Sequence, residues 1–143
     1  MSGNARIPDG VGVDPPTLSQ GFLFWADTHI GTWDAAKAEL SLAFEGSRGS
    51  ALREESIVYI VSNDALLGRA GPPTAMVAAG LLSGARTAAV EGWKKGWTAN
   101  VVAYEADQDP ASVLQRAVYL LEDGMISGEL VHLGPGHIGK ALA

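Results

Sequence analysis

The chain has 143 residues, no cysteine and a formal charge of −6, with 47% hydrophobic and 18% charged residues. This is the size of one ordinary domain, and its apolar share is high enough to bury a core. The acidic balance argues against nucleic-acid and anionic-membrane partners, since both select for Lys and Arg, and the lack of cysteine excludes a disulfide frame and a thiolate nucleophile. The most apolar stretch, 70–85, is too short to cross a bilayer, and the start of the chain lacks the apolar core of a secretion signal. We therefore expect a cytoplasmic protein with no membrane contact.

Gly and Pro residues are frequent in the first part of the chain. Their frequency predicts an extended N-terminal arm over 1–20, followed by one domain over 21–143. The strong helix formers of Ala35–Leu40 predict a helix over most of Phe22–Phe44. The small residues of Gly46–Ser50 then predict a loop.

Strands and helices alternate through the rest of the chain. The β-branched run Ile57–Val61 predicts a strand that is buried on both faces of a parallel sheet. A proline pair then introduces a predicted helix over Thr74–Trp93, and the pattern continues with a strand over 98–104, a helix over 111–122 and a strand over 128–133. The order predicts a layered α/β fold with about three parallel strands and flanking helices.

Five segments carry a resemblance to known motifs. They are Asp27–Trp33, similar to V-N-L-x-G-T-x; Ile57–Ser62, similar to I-V-N-I-S-S; Thr74–Gly96, similar to a Y-x-x-x-K helix; Trp97–Ala103, similar to I-R-V-N-x-V-x; and Ile126–Leu133, similar to a terminal I-T-G segment. In this order, over about three quarters of the chain, they resemble the C-terminal half of a short-chain dehydrogenase/reductase. The resemblance implies a truncated Rossmann-like three-layer domain with about three parallel strands and flanking helices.

The departures from that family concern its cofactor and its chemistry. The family binds a nicotinamide cofactor where a glycine-rich turn joins a strand to a helix, but here the only candidate turn, Gly10–Gly12, follows no predicted strand. The resemblance places Thr74 and Ala78 where the catalytic Tyr and Lys stand, and Thr28 where the proton-relay Asn stands. The substrate-orienting serine is retained as Ser62. We therefore predict a pseudoenzyme-like chain with no catalytic, cofactor or metal site of its own, and we expect NAD or NADP in a partner subunit.

Other chemistries find less support in the residues. His29, His132 and His137 lack the spacing of metal ligands, and His137 is expected on a tail. A hydrolase using Ser62 and Asp64 would lack the usual nucleophile elbow. An enzyme with a re-employed site around Ser62 stays as one alternative.

Small and apolar residues cover more than one face of the helix predicted over Thr74–Trp93, so its second apolar face is expected to meet other helices. The residues predicted to form this interface are Met76, Gly80, Gly84, Ala88, Trp33 and Trp93. The expected partner is a complete short-chain dehydrogenase subunit or a second copy of the chain, and a self-assembling small-ligand-binding or scaffold protein is the second alternative. Ile57–Val61, without the first half of the family's sheet, is expected to be an exposed edge that the arm or a partner covers.

Overall fold

Five parallel strands, hydrogen-bonded in chain order, form the sheet of the computed structural model, which describes residues 3–135. The predicted α/β class is confirmed, with two more strands than the sequence pattern indicated, and His137 lies outside the described residues. The strands are β1 (Asn4–Arg6), β2 (Phe22–Trp25), β3 (Ile57–Ser62), β4 (Ala99–Tyr104) and β5 (Leu130–His132). The helices are α1 (Trp33–Leu52), α2 (Asn63–Leu66), α3 (Pro72–Gly92), a 3₁₀ turn (Trp93–Lys95) and α4 (Pro110–Glu122).

Strand β2 corrects the prediction of a helix beginning at Phe22. Its four side chains are almost fully buried and alternate between the two faces of the sheet, because successive strand residues point in opposite directions. Phe22 and Phe24 join the core on the α1–α3 side, whereas Leu23 and Trp25 join the core on the α4 side. An aromatic run of this kind suits a strand covered on both faces, and the helix formers belong to the next element.

The position of β2 also corrects the expectation of an exposed edge at β3. β2 pairs with β3 in parallel register, with Phe22 opposite Ile57, while β4 pairs with the other side of β3. The outer edge is instead β1, at Asn4–Arg6, which pairs with β2. Three residues of the predicted arm therefore form a short edge strand, and short edge strands offer little backbone for unwanted pairing.

Helix α1 begins later and ends later than the sequence pattern indicated. The Thr32 hydroxyl accepts a hydrogen bond from the Ala35 N–H and caps its first turn. The predicted loop at Gly46–Ser50 is helical instead. Contacts beyond the helix explain this difference: Gly46 lies against the Phe22 ring, and the single O–H of the buried Ser50 is shared between the Glu55 and Ser56 carbonyls at 3.0 and 3.2 Å.

Three layers result, as predicted. Helices α1 and α3 cover one face of the sheet, and α4 covers the other. The segment between β1 and β2, which contains neither helix nor strand, extends the cover on the α4 side through Ile7, Val11, Val13 and Leu18. No helix within residues 3–135 is long and apolar enough to cross a membrane.

A partly buried ion pair joins β1 to the rest of the domain. The Arg6 guanidinium binds both carboxylate oxygens of Glu39 at 2.6 and 2.9 Å, and it also donates to the Trp25 carbonyl. Glu39, which is only 7% exposed, accepts a further bond from the Asp27 N–H, and the guanidinium lies 4.8 Å from the centre of the Phe24 ring. This network ties β1, β2 and α1 together at the carboxyl end of the sheet.

Candidate functional site

The carboxyl ends of the strands surround a cleft of about 890 Å³. We call it the carboxyl-end cleft. Its walls come from the turn after β1 and from the residues that end or follow β2, β3 and β4. In open parallel sheets this crevice is the usual place for a ligand, because connecting loops and helix N-termini converge there. The volume lies within the range of small-molecule sites.

Two aromatic residues form one wall of this cleft. The Trp25 indole N–H donates to the Tyr104 hydroxyl oxygen at 3.1 Å, and the rings meet edge to face with centres 5.2 Å apart. Burial raises the pKa of the Tyr104 phenol, and the Asp27 carboxylate also raises it, while the bond from Trp25 opposes the rise. The phenol is therefore neutral at physiological pH, and its O–H is a hydrogen-bond donor.

The segment after β3 forms a second wall. Ser62, predicted as a retained family serine, caps α2 by accepting a hydrogen bond from the Ala65 N–H at 3.1 Å. Asn63 follows it and is only 7% exposed, and its side-chain Oδ1 has no hydrogen-bond partner. Asp64 lies 3.7 Å from the Arg69 guanidinium in an exposed ion pair. Ser62 thus has a structural role in the free chain, and the unpaired oxygen of Asn63 is the unusual feature of this wall.

Of the four residues that the resemblance placed at catalytic positions, two line the carboxyl-end cleft and two lie in the core. Thr28 and Ser62 line the carboxyl-end cleft, and Thr28 lies in the loop before α1 rather than in the predicted helix. Thr74 and Ala78 are both buried among core residues and do not line the cleft. The Thr74 hydroxyl exchanges hydrogen bonds with the backbone of Ile30, so this residue fastens the start of α3 to the loop after β2.

The glycine turn Gly10–Gly12 lies nearer to a strand than the sequence pattern indicated. Strand β1 ends at Arg6, just before it, and Asp9, Gly10 and Val11 reach the carboxyl-end cleft. Gly10 and Gly12 have φ angles of 90° and 96°, which suits glycine. The expectation that no strand precedes this turn is therefore wrong, although no helix follows it before β2.

The remaining ionisable side chains do not converge on one point. Within residues 3–135 no three His, Asp or Glu side chains lie close enough together to hold a metal ion. His132 lies 3.8 Å from Glu105, while His29 lines the carboxyl-end cleft. No imidazole is hydrogen-bonded to Ser62 in the described part of the chain.

A second surface lies between α1 and α3. Its larger groove, of about 640 Å³, has a floor that includes Tyr59 and Trp97 and walls that include Phe44 and Gly84. A smaller groove continues it towards the start of α1. We call this surface the α1–α3 face.

The structure brings five of the six predicted interface residues to the α1–α3 face. Gly80, Gly84 and Ala88 line the larger groove, and Trp33 and Met76 line the smaller one. Trp93 is exposed in the 3₁₀ turn and lines neither groove. Gly80 also has a role within the chain, because a Cβ at this position would lie 3.3 Å from a methyl group of Leu40 on α1.

The parallel sheet with two helices on one face and one on the other defines a Rossmann-like α/β fold. Solved structures confirm this assignment at the level of the fold. The TT0495 protein from Thermus thermophilus is 15% identical and superposes with a TM-score of 0.67 over 80% of this chain and 66% of its own. The 3-hydroxyacyl-CoA dehydrogenase type-2 from Mycobacterium avium is 14% identical, with a TM-score of 0.62 over 80% of this chain and 65% of its own.

A short-chain dehydrogenase/reductase family oxidoreductase from Brucella ovis, solved with a partially ordered NAD, is 15% identical with a TM-score of 0.62, over 80% of this chain and 65% of its own. The match thus spans slightly less than two thirds of the length of each of these three structures. No protein-family model matches the sequence, and no curated protein matches it.

The fold implies a dinucleotide in the carboxyl-end cleft, but the residues there do not fit one. A pyrophosphate is normally held by the N–H groups at the N-terminus of a helix that directly follows the glycine turn. Residues 7–21 contain no helix, and Asp9 reaches the cleft from this turn. Asp27 and Glu105 add negative charge to the same cleft, which disfavours a phosphate.

Proposed function

We propose that this chain is a non-catalytic subunit, which assembles through its α1–α3 face with a complete short-chain dehydrogenase subunit that carries NAD or NADP. A second copy of the chain is the alternative partner for the same face. In either assembly the chain stabilises its partner and shapes the partner's surroundings, and any hydride transfer takes place in the partner.

The distribution of exposed apolar side chains carries this proposal. Seven of the nine large hydrophobic side chains exposed within residues 3–135 lie on α1, α3 or the adjoining 3₁₀ turn. They are Trp33, Leu42, Phe44, Leu52, Met76, Val90 and Trp93. Four of these side chains, Trp33, Phe44, Leu52 and Met76, line the two adjoining grooves of the α1–α3 face. Exposed apolar patches are typical of protein–protein interfaces, because exposing them to water is unfavourable.

The shape of the α1–α3 face favours helices as the partner. The stripe at Met76, Gly80, Gly84 and Ala88 recurs every four residues and so runs along one side of α3. A Cβ at Gly84 would meet nothing within 4 Å, which leaves room for a partner helix to approach the backbone. Two helices that pack through small residues come close together and gain dispersion contacts along their length.

The surroundings of Thr74 and Ala78 support the absence of catalysis. A catalytic Tyr acts by donating a proton to the substrate, and its neighbouring Lys lowers the pKa of that Tyr. Thr74 instead donates to the Ile30 carbonyl, and Ala78 carries no ionisable group. The Tyr104 phenol in the carboxyl-end cleft has a raised pKa, which is opposite to the shift that such chemistry requires.

Gly84→Glu tests the assembly, with Gly124→Glu as a matched control. Both positions are exposed and have open space around a Cβ, but Gly124 lies beyond α4, away from the α1–α3 face. Size-exclusion chromatography with light scattering is applied to the full chain, alone and co-expressed with a complete short-chain dehydrogenase/reductase from the same source. We expect a mass well above the 14.8 kDa of one chain for the unmodified protein and for Gly124→Glu.

Gly84→Glu is expected to elute at the mass of one chain with its helical circular dichroism preserved, because a carboxylate would be buried without a partner in the interface. A mixed complex supports the dehydrogenase partner, whereas separate homomeric peaks support the second copy. An unmodified chain that stays at 14.8 kDa at micromolar concentration, alone and with the dehydrogenase, contradicts the proposal.

A further inference from the structure

Residues 7–18 lie on the α4 side of the sheet, between β1 and β2, and form neither a helix nor a strand. We call this segment the strap. Three of its twelve residues are prolines, which lack an N–H and so cannot continue the pairing of β1. Its first part, Pro8–Val11, belongs to the wall of the carboxyl-end cleft. The position of the strap therefore sets the width of that cleft.

Both ends of the strap are fixed to the sheet. Before the strap, the Arg6 guanidinium binds both oxygens of the Glu39 carboxylate, at 2.6 and 2.9 Å. After it, Gly21 donates its N–H to the Glu55 carboxylate at 3.0 Å and accepts a hydrogen bond from the Asn4 N–H at 2.9 Å. Because the two ends stay close together, the strap can leave the surface and return without the cost of closing a new loop.

Side-chain contacts hold the middle of the strap. Among the described residues, no hydrogen bond or ion pair joins residues 7–18 to the rest of the domain. Four apolar side chains of the strap pack against the core on the α4 side, and three of them, Ile7, Val11 and Val13, are only partly buried. The fourth is Leu18, which is 6% exposed and lies against the backbone of Gly3. Leu18 is therefore the main attachment of the strap.

The balance of free energies favours local opening of the strap. Ordering twelve residues costs backbone entropy, and the burial of one side chain fully and of three in part offsets that cost by a small margin. The strands are held more firmly, since β2, β3 and β4 are each paired on both sides. Segments with few hydrogen bonds and little buried apolar surface open at a lower free energy than the core strands of the same domain.

We propose that the strap is a cover, hinged at its two fixed ends, which opens while the sheet and the helices stay folded. Opening removes one wall of the carboxyl-end cleft and uncovers apolar surface of the core on the α4 side, so the strap controls access to both. The grooves of the α1–α3 face include no strap residue and lie on the other side of the sheet, so this proposal does not depend on assembly.

Single-cysteine variants of the full chain test the proposal, because the chain has no cysteine of its own. Leu18→Cys places a thiol that is buried only while the strap is closed, and Val101→Cys places one within β4, where the native side chain is 0% exposed. Both are labelled with iodoacetamide at several urea concentrations below the unfolding transition. We expect Leu18→Cys to react at least about a hundredfold faster, with little dependence on urea, because local opening exposes little new surface. Equal rates, or an equally steep dependence on urea, would mean that the strap opens only when the whole domain unfolds, and would overturn the proposal.

Gly12→Ala shifts the strap towards its open state without removing a contact. Gly12 has a φ of 96°, which disfavours any residue other than glycine, and a Cβ there would meet nothing within 4 Å. Added to Leu18→Cys, this substitution is expected to speed labelling about tenfold, because opening relieves the backbone strain. Gly124→Ala in the same background is the control, since Gly124 is equally open and has no positive φ, and it should leave the rate unchanged. No acceleration by Gly12→Ala would contradict the opening of the strap as the step that exposes Leu18.

Limited proteolysis with thermolysin examines the unmodified chain, in which no substitution weakens the strap. This protease cuts before large apolar residues, and the strap offers it Val11 and Val13 between its fixed ends. We expect an intermediate that is cut before one of these residues while residues 22–122 stay uncut, because a protease needs a locally opened segment. Digestion of the chain with no intermediate cut in the strap would contradict the proposal.

Discussion

Gly46 lies where helix α1 comes into contact with the sheet, and Gly46→Ala tests this close approach. A Cβ at this position would lie 2.2 and 2.3 Å from two ring atoms of Phe22. Carbon atoms pack favourably at about 3.5–4.0 Å, so the ring or the helix must move by more than an ångström. The ring has little freedom to move, because Phe22 is 2% exposed and its strand is paired on both sides.

Two opposing terms set the expected magnitude. Alanine is favoured over glycine in a helix interior by about 1 kcal/mol. Overpacking a well-filled core costs about 1–3 kcal/mol, and the severity of this contact places it at the upper end. We therefore expect Gly46→Ala to lower the free energy of unfolding by about 2 kcal/mol.

Urea denaturation followed by circular dichroism measures this change, at fixed protein concentration because assembly also contributes to stability. Gly49→Ala is the control on the same helix. A Cβ at Gly49 would meet only the end of the flexible Arg53 side chain, at 3.3 Å, so this variant is expected to be neutral or slightly stabilising. Adding Phe22→Leu to Gly46→Ala should recover part of the loss. If Gly46→Ala is as stable as Gly49→Ala, the reasoning is refuted.

Two further predictions concern polar groups in the core. Glu39→Ala leaves the Arg6 guanidinium without its carboxylate partner, and we expect it to lower the free energy of unfolding in urea by about 2 kcal/mol. Glu45 is exposed on the same helix, so Glu45→Ala should change that free energy little. Equal effects of the two variants would contradict a role for the ion pair. Burial raises the pKa of the Tyr59 phenol above its usual 10.0, against the opposing bond with Ser47. The contribution of the neutral Tyr59 phenol to stability is therefore fully present below pH 10 and is lost as the pH rises through the higher folded-state pKa. Tyr59→Phe should therefore reduce the loss of stability at alkaline pH, measured by urea denaturation at a series of pH values. An unchanged dependence of stability on pH would contradict this prediction.

The local residue pattern was sufficient to predict the type of an element where that pattern is typical of a strand or a helix. The β-branched run of β3, the proline start of α3 and the apolar spacing of α4 each predicted the type of element that the structure contains. In each of these segments the local preference agrees with the tertiary environment. The sequence likewise placed Ser62 at the end of a strand, and the structure shows this residue capping α2.

The candidate cleft was only partly accessible to the same reasoning. Ser62 and Thr28 were singled out from the resemblance, and both line the cleft. Trp25 and Asn63 gave no signal, because only the pairing of different strands brings them to one cleft. A feature that did point to this region is the position of polar residues immediately after predicted strands, since the carboxyl ends of parallel strands lie at one edge of the sheet.

The sequence by itself determined the fold class, the excess of negative charge and the small-residue face of α3, because these follow from composition and from spacing along one element. Only the tertiary structure decided that Phe22–Trp25 is a strand, since its aromatic side chains need cover on both faces and receive it from α1 and α4. It also decided that α1 continues through Gly46 and Ser50, where contact with the Phe22 ring and bonding of the Ser50 hydroxyl to carbonyls of the turn after the helix outweigh the loop preference of small residues. Local propensities amount to less than about 1 kcal/mol per residue, and long-range packing exceeds them wherever the two disagree.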